Sequence, residues 1–269
     1  MRALKFPRVE QLDVGPVRLK FRHAKGTDMQ RWVKRSDFVY EPEVLALLLV
    51  LLAQQPSARF VNVGANIGYF PIIAKKLFGD RIDVHAYEPM PELLERLRRG
   101  CADNSVDIEL SGAAVADFDG RAAFHLSARS DTSNSLNPEF RPSREVISVP
   151  VTTLDHESSA WDDRPTVLMV DTESTEPDVL AGGAGFIQAV RPAIICEVLA
   201  GRTEQRLGEF IDRVGYTAYA VDARGVHRCT EIAGDSTYQY RDWLFLPNGH
   251  EPPASDLVAA TAQQFTGAA

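Results

Sequence analysis

Three carboxylates, Asp171, Glu173 and Glu176, fall within six residues, directly after the apolar run Thr166 to Val170. Acids this close can share a proton, accept one from a hydroxyl, hold substrate hydroxyls or bind a divalent cation. A second constellation stands earlier in the chain. Gly64-Ala65-Asn66-Ile67-Gly68 follows the run Phe60 to Val63, and Glu88-Pro89 closes the next run, Ile82 to Tyr87. Glycine permits positive φ and a close backbone approach. A carboxylate at the tip of the second strand can accept hydrogen bonds from two ribose hydroxyls. Together these residues describe a nucleoside site. The turn reads G-A-N-x-G and lacks the third glycine of the G-x-G-x-x-G dinucleotide fingerprint, so a cofactor without a pyrophosphate is preferred over NAD.

Asp171, Glu173 and Glu176 are the candidate catalytic residues. Only Asp171 is placed by a strand end as well, since in an open parallel sheet ligands sit beyond the carboxyl ends of the strands. Glu173 and Glu176 also suit a helix N-terminus, where the dipole stabilises each by about 0.3–1 kcal/mol. Glu197 closes the next apolar run, Ala193 to Cys196, and is a second-tier candidate for the same crevice. His85 lies inside a strand and reads as structural, whereas His125 and His156 flank a polar segment and could approach a substrate. No metal is predicted, because no histidine or cysteine has a partner at ligand spacing; a divalent cation on the carboxylates is possible without being predicted.

Short β-branched runs alternating with helical stretches from Arg59 onward predict a doubly wound α/β fold. The expected strands are Phe60 to Val63, Ile82 to Tyr87, Asp107 to Leu110, Thr166 to Val170, Ala193 to Cys196, Thr217 to Val221 and Trp243 to Leu246, the last pair antiparallel. Ala122 to Leu126 and Val146 to Val151 read as further strands or a hairpin. Between them Ser127 to Glu145, rich in Ser, Asn, Pro and Arg, is a candidate lid. Val44 to Ala53 is almost wholly apolar but too short for a bilayer, which needs about 20 residues. Glu41-Pro42 starts it and Gln54-Gln55-Pro56 stops it, so it reads as a buried helix. The organisation expected is an N-terminal extension over 1–40, a catalytic domain over 41–249 and a loosely held tail over 250–269.

The 269 residues are 45% hydrophobic, enough for one substantial core. A formal charge of −8 offers no broad cationic surface, which argues against nucleic acid as partner and for a small molecule. Cys101, Cys196 and Cys229 are widely spaced and read as reduced thiols, and Met1 to Arg8 lead into no apolar signal core, so a cytoplasmic location away from membranes is expected. The oligomeric state is open.

Several ordered motifs together resemble the FkbM-type methyltransferases. They are Val61-Asn62-Val63-Gly64-Ala65-Asn66-Ile67-Gly68-Tyr69-Phe70, Ala86-Tyr87-Glu88-Pro89, Thr152-Thr153-Leu154-Asp155, Asp171-Thr172-Glu173-Ser174-Thr175-Glu176 through Leu180, then Arg191-Pro192 and Glu197, within a resemblance running from about Tyr40 to Leu246. The resemblance implies a class I, Rossmann-like, seven-stranded and mostly parallel sheet with helices on both faces. It also implies S-adenosylmethionine as cofactor, with Gly64, Asn66 and Gly68 around its methionine and sugar and Glu88 on the ribose; Asn62 and Pro89 complete the candidate cofactor-binding set. The activity implied is O-methylation of a sugar or natural-product hydroxyl. The chain departs from the family pattern at Asn62, usually acidic, at Met169, usually lysine, and at Ser174, usually glycine. Those departures motivate one alternative, a cofactor-binding protein that has lost catalysis; an NAD-dependent oxidoreductase is the other.

Overall fold

The computed structural model describes residues 9–14, 17–22, 40–130, 132–237 and 239–266. Within the N-terminal extension, β1 (Val9–Val14) and β2 (Val17–Arg22) form an antiparallel hairpin, while Met1 to Arg8, read above for a signal, lie outside the described residues.

The apolar run becomes α1 (Pro42–Ala53), with every side chain from Val44 to Leu52 buried. A helix apolar all round must be covered on all sides. One side meets the central sheet. The other is covered by the C-terminal helix α8 (Ser255–Thr266), which packs along α1. Val258, Ala262 and Phe265 are buried, at i, i+4 and i+7. The tail is therefore a docked helix from 255 to 266, not a loosely held segment: its small alanines hide a helical stripe, and α1 supplies the apolar surface that stripe needs. Residues 267–269 lie outside the described residues.

The intervening chain forms β3 (Ala58–Val63), α2 (Tyr69–Phe78), β4 (Ile82–Tyr87), α3 (Pro91–Asn104), β5 (Glu109–Ser111), β6 (Ala114–Val115), β7 (Gly120–Ser127) and β8 (Ser143–Thr152). It continues through α4 (Leu154–Ser158), β9 (Thr166–Val170), α5 (Glu176–Ala181), α6 (Ala184–Val190), β10 (Ala193–Glu197), α7 (Glu204–Val214), β11 (Tyr216–Asp222), β12 (Gly225–Arg228) and β13 (Asp242–Pro247). The main sheet runs β12-β11-β13-β10-β9-β3-β4-β5. Strands β5, β4, β3, β9 and β10 are parallel, and β13, β11 and β12 pair antiparallel. The expected seven strands are all present, and β12 adds an eighth at the edge. The hairpin β7–β8 joins β6 in a separate three-stranded sheet.

Alternation along the central strands sends side chains to two cores. Phe60 and Met169 join the residues of α1, α2, α3 and α8, whereas Val61, Val63, Leu168 and Val170 join those of α5, α6 and α7. Helix α7 has the stripe this requires: Leu207, Phe210, Ile211 and Val214 are buried at helical spacing, each worth about 1.5–3 kcal/mol of transfer free energy. The crossover from β5 back to β9 on the other side of β3 opens a crevice at the strands' carboxyl ends.

Candidate active site

The glycine turn is shaped by its own chain. Gly64 (φ 84) has no room for a side chain, since a Cβ there would sit 1.8 Å from the Asp171 carbonyl oxygen. Its absent side chain lets β3 and the end of β9 approach each other. Gly68 (φ 88) caps α2, and a Cβ there would lie 2.2 Å from Leu97 of α3. Asn66 takes φ 52, a conformation asparagine tolerates better than most residues. Its Oδ1 accepts the Ile67 N–H at 2.8 Å.

Glu88 closes the turn from the neighbouring strand. Its Oε2 accepts the Asn66 N–H and its Oε1 the Met90 N–H, both at 2.9 Å, so two backbone donors fix the carboxylate before any ligand arrives. Burial pushes its pKa up to about 7, against the pull of those two N–H groups. It is 5% exposed and borders a cavity of about 420 Å³, together with Gly64, Asn66, Pro89, Val63, Leu93 and Val115.

Asp171 and Glu173 border the same cavity from the end of β9. Burial raises the Asp171 carboxyl, while Arg241 opposes the shift. Burial, then the neighbouring Asp171, lifts Glu173 well above the usual carboxylate range. Glu176 is fully buried at the start of α5, beneath this wall. Its Oε1 accepts the Thr172 N–H at 2.9 Å and the Ser174 N–H at 3.1 Å, tying the turn whose residues Glu173 and Ser174 have φ 58 and 85. The latter value explains why glycine suits that position.

Of the candidate cofactor residues, Gly64, Asn66, Glu88 and Pro89 line the cavity, and Asn62 and Gly68 do not. Asn62 is 2% exposed, on the strand face that carries Phe60, and its Oδ1 has no hydrogen-bond partner. Gly68 serves helix packing. Of the candidate catalytic residues, Asp171 and Glu173 line the cavity and Glu176 does not.

Two residues to which the sequence assigned no site role join the site. Arg241, just before β13, donates to Glu197 Oε1 at 2.7 Å and to Glu41 Oε1 at 2.9 Å, and both Glu41 and Arg241 line the cavity. Burial lifts Glu41 to about 7. Glu41 stands at the helix start, yet makes no side-chain cap; its carboxylate faces Arg241 instead. Tyr40, Tyr69 and Phe70 add an aromatic wall, with the Tyr40 and Tyr69 rings edge to face at 5.8 Å.

The Ser127–Glu145 segment contributes part of the cavity wall through its described residues. Thr132, Ser133, Asn134, Leu136 and Arg141 line it. The segment is fastened to the β9–α5 turn: Ser135 Oγ donates to the Glu173 carbonyl at 2.8 Å and Asn137 Nδ2 to Ser174 Oγ at 2.9 Å. His125 contacts Ser143 and His156 contacts Asp119, and neither lines the cavity. His85 packs on Trp161 and pairs with Glu109, as a structural histidine does.

Among the described residues, no helix is long and apolar enough to cross a membrane. No curated protein matches the chain. Among solved structures, it is similar to the methyltransferase FkbM from Methylobacillus flagellatus at 16% identity and a TM-score of 0.47, covering 81% of this chain and 57% of that one. The chain thus spans little more than half the length of that relative. It is also similar to a precorrin-6y C5,15-methyltransferase from Geobacter metallireducens (15% identity, TM-score 0.43, 84% and 91% covered). A third is the Pyrococcus abyssi tRNA (uracil-54, C5)-methyltransferase in complex with S-adenosyl-L-homocysteine (10% identity, TM-score 0.43, 88% and 42% covered). Residues 62–227, more than half of the chain, match the model of the methyltransferase FkbM domain, and the stretch begins one residue before the end of β3 and runs into β12. The protein belongs to the FkbM methyltransferase domain family.

Proposed function

We propose that the chain is an S-adenosylmethionine-dependent O-methyltransferase acting on a hydroxyl of a small molecule, of the sugar or natural-product class. One observation carries this reading: Glu88 and Asp171 border a single cavity from the ends of β4 and β9, on either side of β3. One is arranged to receive a ribose and the other to receive a proton.

The residues fit the cofactor. Both Glu88 oxygens are oriented by backbone N–H groups and keep further lone pairs for two sugar hydroxyls. Val63, Leu93 and Val115 provide apolar surface for a nucleobase. When bound, S-adenosylmethionine supplies an electrophilic methyl group on a sulfonium. The chain's own part is to align the acceptor, exclude water and take up the hydroxyl proton. Asp171 is the base in this reading, as its carboxylate borders the cavity and its charge is supported by Arg241. Glu173 holds the acceptor, while Glu176 positions the turn that carries both. The Ser127–Glu145 segment excludes water, and its Arg141 lines the acceptor side. A cavity of this volume suits a small molecule in preference to a nucleic acid.

Calorimetry with S-adenosylhomocysteine tests the cofactor half. Binding is expected, and Glu88→Ala should weaken it by at least about an order of magnitude, the loss of two charge-assisted hydrogen bonds. An unchanged affinity would sink the site. Transfer of a labelled methyl group into a panel of polyols and phenols tests the acceptor half; transfer into amines alone would replace the hydroxyl reading.

A further inference from the structure

Beneath the wall formed by the β9–α5 turn, carboxylates from three elements converge. Asp171 follows β9, Glu176 begins α5 and Glu197 ends β10, and one oxygen from each lies within 4.8 Å of those from the other two. Each residue also keeps a buried oxygen that no N–H or hydroxyl of the described residues reaches, Asp171 Oδ1, Glu176 Oε2 and Glu197 Oε2, and the Asp171 and Glu197 carboxyls lie close enough to share a proton. The two glutamates are almost sealed from solvent, at 0% and 2% exposure. Their other oxygens are engaged, Glu176 Oε1 by the turn it ties and Glu197 Oε1 by Arg241.

Buried acceptors are nearly always satisfied in folded proteins, and three unsatisfied ones at one place call for a partner. The partner must be electron-poor on several sides at once. Arg241 reaches Glu197 but is shared with Glu41, so one cation serves two carboxyl groups. Three carboxyl oxygens with no nitrogen or sulfur donor, once ionised, match the preference of a hard divalent cation.

We propose that Asp171, Glu176 and Glu197 bind one divalent cation of the Mg²⁺ or Mn²⁺ class. The ion ties the ends of β9 and β10 to the start of α5. Because Asp171 also borders the cavity, the ion enters from there and fixes the carboxylate that faces the acceptor. The site shares Asp171 with the transferase reading, but ion uptake is measured without the methyl donor, since none of its glutamates lines the cavity.

The test is a titration of the full chain, stripped with chelator, with MnCl₂, following loss of the free-ion signal by electron paramagnetic resonance. One Mn²⁺ per chain is expected, displaced by MgCl₂. Glu197→Gln, which retains an acceptor for Arg241, should weaken uptake about tenfold or more. Glu176→Gln and Asp171→Asn provide the same reading if that variant fails to fold by circular dichroism. No uptake by the wild type at about 1 mM Mn²⁺ would overturn the proposal. So would uptake that survives all three substitutions, which would locate the ion on surface acids. S-adenosylhomocysteine calorimetry on the same sample separates the two readings: nucleoside binding without Mn²⁺ uptake leaves the transferase reading standing and removes the metal site, and the converse removes the transferase reading alone.

Discussion

Two acidic arms meet the cavity through Glu88 and Asp171, and they are built on opposite principles. At the β3–β4 arm, Glu88 has a backbone donor on each oxygen, so its carboxyl group is oriented in advance, although burial still favours its neutral form. At the β9–β10 arm, Asp171, Glu176 and Glu197 each retain an unpaired buried oxygen, and Arg241 is divided between Glu197 and Glu41. A satisfied carboxylate is a receptor. An unsatisfied cluster destabilises the fold and is retained because something else, a proton, a substrate or an ion, completes it. On the proposed reading, recognition falls to the first arm and chemistry to the second.

If that division holds, Asp171→Asn should cut the rate of methyl transfer by roughly 10²–10⁴-fold, the range for a lost general base, while S-adenosylhomocysteine affinity stays within about threefold. Equal losses in both would erase the division. Arg241→Met should destabilise the fold by about 3–5 kcal/mol in urea, because it strands Glu197 and Glu41 without their cation. The loss should grow as pH rises through about 7, where Glu41 gives up its proton. A flat pH dependence would contradict the raised carboxyls.

Glu88 makes a subtler contribution, with opposite signs for folding and for binding. Its folded pKa of about 7 lies above the unfolded carboxylate value, so its contribution to stability is full below the unfolded value and is lost as pH rises through about 7. Binding of the sugar hydroxyls needs the ionised form. Nucleoside affinity should therefore strengthen over the same window, by up to about tenfold for each pH unit below 7 that is recovered. Calorimetry from pH 5.5 to 8 (roughly the span that brackets the titration) compared with Glu88→Gln checks this; identical profiles for both proteins would remove Glu88 from the first arm. The smallest effect concerns Asn62. Packed with Phe60 and away from the cavity lining, it should change nucleoside affinity by less than about twofold on conversion to alanine, where stability falls by about 1 kcal/mol. A larger change in binding would mean that the strand interior, not the tips, sets the first arm.

Local pattern made much of this legible. Gly64 and Gly68 need positive φ, and Glu88 follows a β-branched strand, so turn and carboxylate are readable from residue type and order. The roles of the glycines were less readable. Gly64 was expected to admit a ligand, yet its empty side is filled by the Asp171 carbonyl, and that of Gly68 by Leu97. Nothing near either glycine in the chain announces those neighbours. The C-terminal helix shows the same limit, since Val258, Ala262 and Phe265 make sense only once α1 lies beneath them.

What the chain determined alone is what periodicity and residue chemistry encode over a few neighbours: the alternating elements, the glycine bend, and acids at strand ends. Those follow from φ preferences and from which side chains can leave water. What waited for the tertiary structure is whatever depends on distant partners. Arg241 lies 200 residues from Glu41 and meets it only because β13 inserts beside β10, and Glu176 and Glu197 keep their unpaired oxygens only because packing has shut out water. Electrostatics at such a place is set by burial and by separation in space, and neither is a property of adjacent letters.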